Sequence, residues 1–89
     1  MKIQLTVEAK NDLESLPLPV KERILKKISY LSDFPLMGVK MEDAFQGFRC
    51  LLADDGNYRI IYKVLKKSVV VYYLRHAARQ LGLRLAREK

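Results

Sequence analysis

The chain has 89 residues, 49% of them apolar, a single cysteine and a formal net charge of +7. That length supports one small core and excludes a substrate domain joined to a separate cofactor domain. The lone Cys50 excludes an internal disulfide and suits a reducing compartment. No apolar run is long enough to span a bilayer, and Met1-Lys2 opens on an alternating pattern, so a cytoplasmic protein without a membrane partner is expected.

The charge is unevenly placed. Residues 1–44 hold seven basic and seven acidic side chains, whereas residues 45–89 hold ten basic and three acidic ones. A one-sided basic field concentrates polyanions near it. The same excess also serves plain solubility. It nominates nucleic acid or an acidic protein as partner, without choosing between them.

Lys2 to Val7 alternates with period two and predicts a first strand with Ile3, Leu5 and Val7 on one face. Thr6 is suited to cap a short helix, with Glu8 in the first turn favouring the positive end of the helix dipole. Ala9, Leu13 and Leu16 give that helix its apolar stripe. Leu16-Pro17-Leu18-Pro19 stops it, because a residue before proline is pushed out of the helical region. Pro19 then opens a second helix, where its missing N–H costs nothing. Val20, Ile24, Ile28 and Leu31 recur at helical spacing, with Leu25 widening the stripe. Asp33-Phe34-Pro35 ends the helix, and Leu36 to Ala44 reads as a loop. A stripe of this kind is core packing and receives no function.

From Gly47 to Gln80 the chain reads as three antiparallel strands, punctuated by turns at Asp54–Asn57 and Leu65–Ser68. The prediction is an α+β domain over residues 1–89: an N-terminal strand, a two-helix hairpin, then a three-stranded meander. Helices cover one face of a mostly antiparallel sheet. Residues 80–89 form a basic tail.

The turn lengths set a register that pairs Val64 with Val69, Ala53 with Tyr58, and Arg59 with both Leu52 and Leu74. Strict alternation then places Leu51, Tyr58, Ile60, Tyr62, Val64, Val69, Val71 and Tyr73 under the helices. Phe48, Cys50, Leu52, Arg59, Ile61, Lys63, Val70, Tyr72, Leu74 and His76 share the opposite face. Arg49 points to the helix side, suited to anchoring the loop through Glu42 or Asp43. A slip of one residue would exchange the two sets. Arg59 stands out. A guanidinium in a central strand needs solvent, a partner or a ligand for its five donors, and its planar fork matches phosphate. The alternative is a pair with Asp54 or Asp55 of the adjacent turn.

The run Gly47-Phe48-Arg49, then Asp55-Gly56-Asn57-Tyr58-Arg59-Ile60-Ile61-Tyr62-Lys63-Val64, Val69-Val70-Val71 and Arg75-His76-Ala77-Ala78-Arg79 resembles the RelE/ParE superfamily of type II toxins. The resemblance covers nearly the whole chain and implies the same strand, helix-pair, sheet architecture. It implies an antitoxin whose acidic, partly disordered segment wraps the domain, and no cofactor or metal. RelE-like members cut mRNA on the ribosome, whereas ParE-like members inhibit DNA gyrase without cutting. By resemblance, Arg59 and Arg79 hold the scissile phosphate. His76 moves a proton, and Lys63, Arg75, Arg84 and Arg87 contact nucleic acid.

The chain departs from the nuclease pattern at Cys50 and Leu52, which stand near the family's lysines, and near Leu85, where a tyrosine is usual. Cleavage needs a base for the 2′ proton and an acid for the leaving oxygen, and His76 is the only side chain whose ordinary pKa suits that work at neutral pH. The sequence reading is therefore a ribosome-dependent mRNA endonuclease. A gyrase inhibitor in which the same arginines only bind, or a degenerate toxin that only meets its antitoxin, are the alternatives. In those readings His76 faces a partner instead.

Overall fold

The computed structural model describes residues 1–78. The elements run β1 (Lys2–Leu5), α1 (Val7–Glu14), α2 (Leu18–Tyr30), β2 (Val39–Lys40), β3 (Arg49–Ala53), β4 (Tyr58–Val64) and β5 (Ser68–His76). They build one sheet in the order β1-β5-β4-β3-β2, with β1 parallel to β5 and every other pair antiparallel. The expected strand, helix pair and meander are all present. The expected loop after α2 contributes a further element: Val39 and Lys40 pair with Cys50 and Arg49 as a fifth, edge strand. Two residues at an edge carry too little period to be read from sequence.

The first strand ends earlier than its alternation suggests, because Thr6 leaves it to cap α1. The Thr6 hydroxyl accepts from the Ala9 N–H at 3.1 Å and also donates to the Tyr72 carbonyl at 3.0 Å. Pro17 precedes α2 and Pro19 lies in its first turn, as proline geometry favours. The core joins Ala9 and Leu13 of α1 and Ile24, Ile28 and Leu31 of α2 to the covered face of the sheet. Leu25 does not widen this stripe and is instead exposed.

On the sheet side the core takes Leu51, Ala53, Ile60, Tyr62, Val69, Val71 and Leu74. Leu74, not Tyr73, therefore lies under the helices, and the cause is a β-bulge. Tyr62 pairs with Val71 but Ile61 pairs with Tyr73, so Tyr72 is an extra residue and the strand changes phase beyond it. Arg59 consequently faces Arg75, while its other expected neighbour, Leu52, is in place.

β5 also outruns β1, which would leave its far edge unpaired. Helix α1 covers that edge. The Asp12 carboxylate accepts from the Leu74 N–H at 3.2 Å and from Arg75 Nη1 at 2.5 Å. Asp12→Ala removes both bonds and leaves a half-buried amide and a guanidinium without their acceptor, at a cost of about 2 kcal/mol. The expected result in urea denaturation is a lower midpoint with an unchanged slope.

Arg49 does reach the loop as expected, but through backbone rather than the acids. Its Nη1 donates to the Gly38 carbonyl at 2.7 Å. Beside it, the Tyr62 hydroxyl donates to the Pro35 carbonyl and accepts from the Gly38 N–H, both at 2.8 Å. These bonds lock the loop onto the sheet and hold β2 at its edge.

Candidate nucleic-acid interface on the open face

Strand β4 presents Arg59, Ile61 and Lys63 on the face away from the helices, flanked by Leu52 and Cys50 of β3 and by Arg75, Tyr73 and Val70 of β5. The Asp54–Asn57 turn that launches β4 uses left-handed backbone at Asp54, Asp55 and Gly56, residue types that tolerate it. Of the two carboxylates in this turn, Asp54 accepts from Arg23 Nε of α2 at 2.5 Å, and Asp55 forms no ion pair among the described residues. Arg59 is half-buried and, among the described residues, takes part in no ion pair or side-chain hydrogen bond. Nothing among the described residues occupies its donors.

Arg75, directly opposite, is differently placed. Two arginines face to face across a strand pair repel, and Arg75 turns to the sheet edge, ion-paired with Asp12 and stacked 5.0 Å from the Tyr73 ring centroid. It is the less available of the two guanidinia.

The bulge has its largest consequence at His76. The shifted phase pairs His76 with Tyr58, on the helix side of the sheet. The imidazole packs edge-on to the Tyr58 ring at 5.0 Å, and Nδ1 accepts from the Ala78 N–H at 3.0 Å. With Asp12, Ser15, Tyr58 and Arg75 it lines a separate cavity of about 380 Å³. His76 and Arg59 therefore do not share a face, contrary to the uninterrupted alternation. Arg79, Arg84 and Arg87 lie outside the described residues.

Lys63 is on the open face as expected, in company the sequence reading gave no role. Its Nζ lies 4.6 Å from the Phe48 centroid and 5.8 Å from that of Tyr72. Phe48 meets Tyr72 edge-on at 5.0 Å and Phe45 at 5.7 Å. The bulge contributes here too, since it keeps both Tyr72 and Tyr73 off the core. A cleft of about 900 Å³, lined by Lys40, Met41, Glu42, Phe48 and Arg49 among others, adjoins this cluster and does not include Arg59. Among the described residues no group of three or more His, Cys, Asp or Glu could hold a metal ion. No helix among them is long and apolar enough to cross a membrane.

Burial pushes the Cys50 thiol above its ordinary value of 9.0, and the Arg59 guanidinium pulls it part of the way back. Burial likewise raises Tyr62 above 10.0, opposed by the Gly38 N–H and Arg49. In both cases the folded state holds a proton that the unfolded chain releases. Stability from these groups is complete below pH 9.0 and is lost as pH rises through the raised values. Melting temperature is expected to fall as pH rises above 9.0, and Cys50→Ala to flatten the onset of that decline.

These elements give a small sheet with a helix-covered back and a basic, aromatic front. A family model described as the ParE toxin of the type II toxin–antitoxin system parDE matches residues 3–81, and the chain belongs to that family. No curated protein matches it. Among solved structures it resembles the RelBE2 toxin–antitoxin complex of Mycobacterium tuberculosis, at 25% identity and a TM-score of 0.75 over 84% of this chain and 95% of that one. The chromosomal ParDE system of P. aeruginosa matches at 16% identity and a TM-score of 0.73, over 85% and 95%. The intact RelBE complex of E. coli matches at 20% and 0.73, over 88% and 98%. RelE and ParE relatives share this architecture, and an antitoxin partner follows from the family.

Proposed function

We propose that this toxin arrests translation by acting on mRNA at the ribosome, with Arg59 gripping the phosphate at which the chain is cut. The observation that carries the reading is a half-buried, mid-sheet guanidinium with no protein acceptor among the described residues. A bidentate fork at that position stabilises charge gathering on phosphate oxygens. Arg79, by resemblance, supplies a second positive charge. His76 faces the other side of the sheet, so this reading does not use it as the base for a phosphate held at Arg59. In this reading its work is structural, against Tyr58. The antitoxin segment that silences the toxin is acidic, matching the basic second half of the chain.

A second reading, inhibition of DNA gyrase by binding alone, is favoured by one observation. Among the described residues the open face offers charge and aromatic surface but no side chain that ordinarily transfers protons at neutral pH. Induction without antitoxin followed by mapping of mRNA 5′ ends separates the two. Codon-phased cuts are expected for the nuclease. Intact mRNA with loss of supercoiling would replace it by the gyrase inhibitor.

A further inference from the structure

Lys63 occupies an unusual position for a lysine on a basic face. Its ammonium is folded back over two rings instead of reaching into water, and both rings are themselves only half-buried. Phe45, Phe48, Tyr72 and Tyr73 form a continuous aromatic chain along this end of the open face, each ring within 6.2 Å of the next. Core packing does not account for it, since none of the four belongs to the buried cluster. Lys63 lies four residues from Arg59 along β4, about 13 Å at roughly 3.3 Å per residue. A strand of nucleic acid with one phosphate at Arg59 that followed β4 would reach these rings within about two nucleotides' length.

We propose that Phe48 and Tyr72 form a stacking platform for an unpaired base of the RNA, with Lys63 as its movable cover. The ammonium is held by ring quadrupoles, an attraction of about 0.5–1 kcal/mol at an exposed site, so an incoming phosphate readily draws it away and bares the rings. Each partner then gains: the base stacks on aromatic carbon and the lysine meets an anion. Aromatic surface interleaved with positive charge suits single-stranded nucleic acid, whose bases all present a π-face. The rings, not the charge, favour RNA over an acidic peptide as the occupant, because an acidic peptide would use Lys63 and leave the rings without a planar partner.

The platform rests on the RNA-directed reading but is tested by binding, not by cutting. Fluorescence anisotropy of the purified chain with a labelled single-stranded oligoribonucleotide is compared with an abasic oligonucleotide of equal length. The normal oligonucleotide is expected to bind at least about fivefold more tightly, and Phe48→Leu and Tyr72→Leu to erase that preference while abasic binding stays unchanged. Lys63→Met is expected to reduce the salt slope by about one while retaining the base preference. Equal affinity for both oligonucleotides, or leucine variants that bind as the parent does, would overturn the platform. So would polyglutamate that displaces RNA from the parent but not from the Phe48→Leu chain. A base preference without mRNA cutting would retain the platform and remove the nuclease. Cutting without a base preference would do the reverse.

Discussion

Arg59→Ala is expected to lower mRNA cutting by at least about a hundredfold and to relieve growth arrest, while antitoxin affinity changes far less. The size follows from removing a charge-stabilising donor aimed at a phosphate, a loss of about 2.7–4 kcal/mol in transition-state binding. Nothing in the described fold depends on the side chain: it takes part in no ion pair, and its neighbours Tyr58 and Ile60 carry the packing on the other face. The variant should therefore melt close to the parent. Arg59→Lys is a sharper probe than alanine. It keeps the charge and loses the fork, so activity that stays low in this variant assigns the effect to bidentate geometry. His76→Ala supplies the contrast. It forfeits the edge-on contact with Tyr58, worth about 0.5–1.5 kcal/mol of stability, and should leave cutting intact once folding is matched. A His76 variant that folds fully and fails to cut would return the histidine to the mechanism and require it to act from the other side of the sheet. An Arg59→Ala chain that cuts at the parent rate would remove the phosphate grip altogether.

Much of this architecture is legible in the chain because each element carries its own signal. Thr6 announces a cap, the Pro17–Pro19 stretch separates two helices, and Asp54-Asp55-Gly56-Asn57 marks a turn that only a few residue types can make. The register of β3 with β4 follows from that turn, and so does the outward aim of Arg59. What stays hidden is the bulge. Val69-Val70-Val71-Tyr72-Tyr73-Leu74 is apolar at every position, so no alternation betrays where the phase changes. A trace of it is still present one step further on. Uninterrupted period two would put Arg75 beneath the helices, and a charged group there is costly unless it is paired. The inserted Tyr72 removes that conflict and in doing so carries His76 to the covered side. The site was thus half readable: its arginine follows from a turn, its aromatics and the fate of its histidine from a residue that only the backbone counts. Alternation puts Phe48 and Lys63 on one face, but nothing in the sequence pattern signals that their side chains meet.

Gly38→Ala is expected to be the most destabilising single-methyl change in the chain. A Cβ at this buried position would lie 2.6 Å from the Tyr62 hydroxyl, 2.8 Å from a carbon of its ring and 3.0 Å from the Cys50 carbonyl. None of the three can retreat cheaply. The Tyr62 side chain is fully buried and tied by its hydroxyl to Pro35 and Gly38, and the Cys50 carbonyl belongs to β3. Overpacking of this kind costs about 1–3 kcal/mol, and displacing the hydroxyl adds the loss of two hydrogen bonds at about 1 kcal/mol each. The measurement is chemical denaturation of Gly38→Ala, Tyr62→Phe and the double variant. Tyr62→Phe alone leaves the Gly38 N–H buried without an acceptor, again about 1–3 kcal/mol. It also clears the nearer of the two Tyr62 contacts. The double variant should therefore lose less than the two single losses added, by roughly 1 kcal/mol, as contacting residues usually do. If the loop instead swings away from the sheet when alanine is introduced, the hydroxyl bonds are already lost and Tyr62→Phe should cost almost nothing further in that background. In that case Val39 and Lys40 should lose their pairing with β3, and their amides should exchange with solvent at the rate of an open loop.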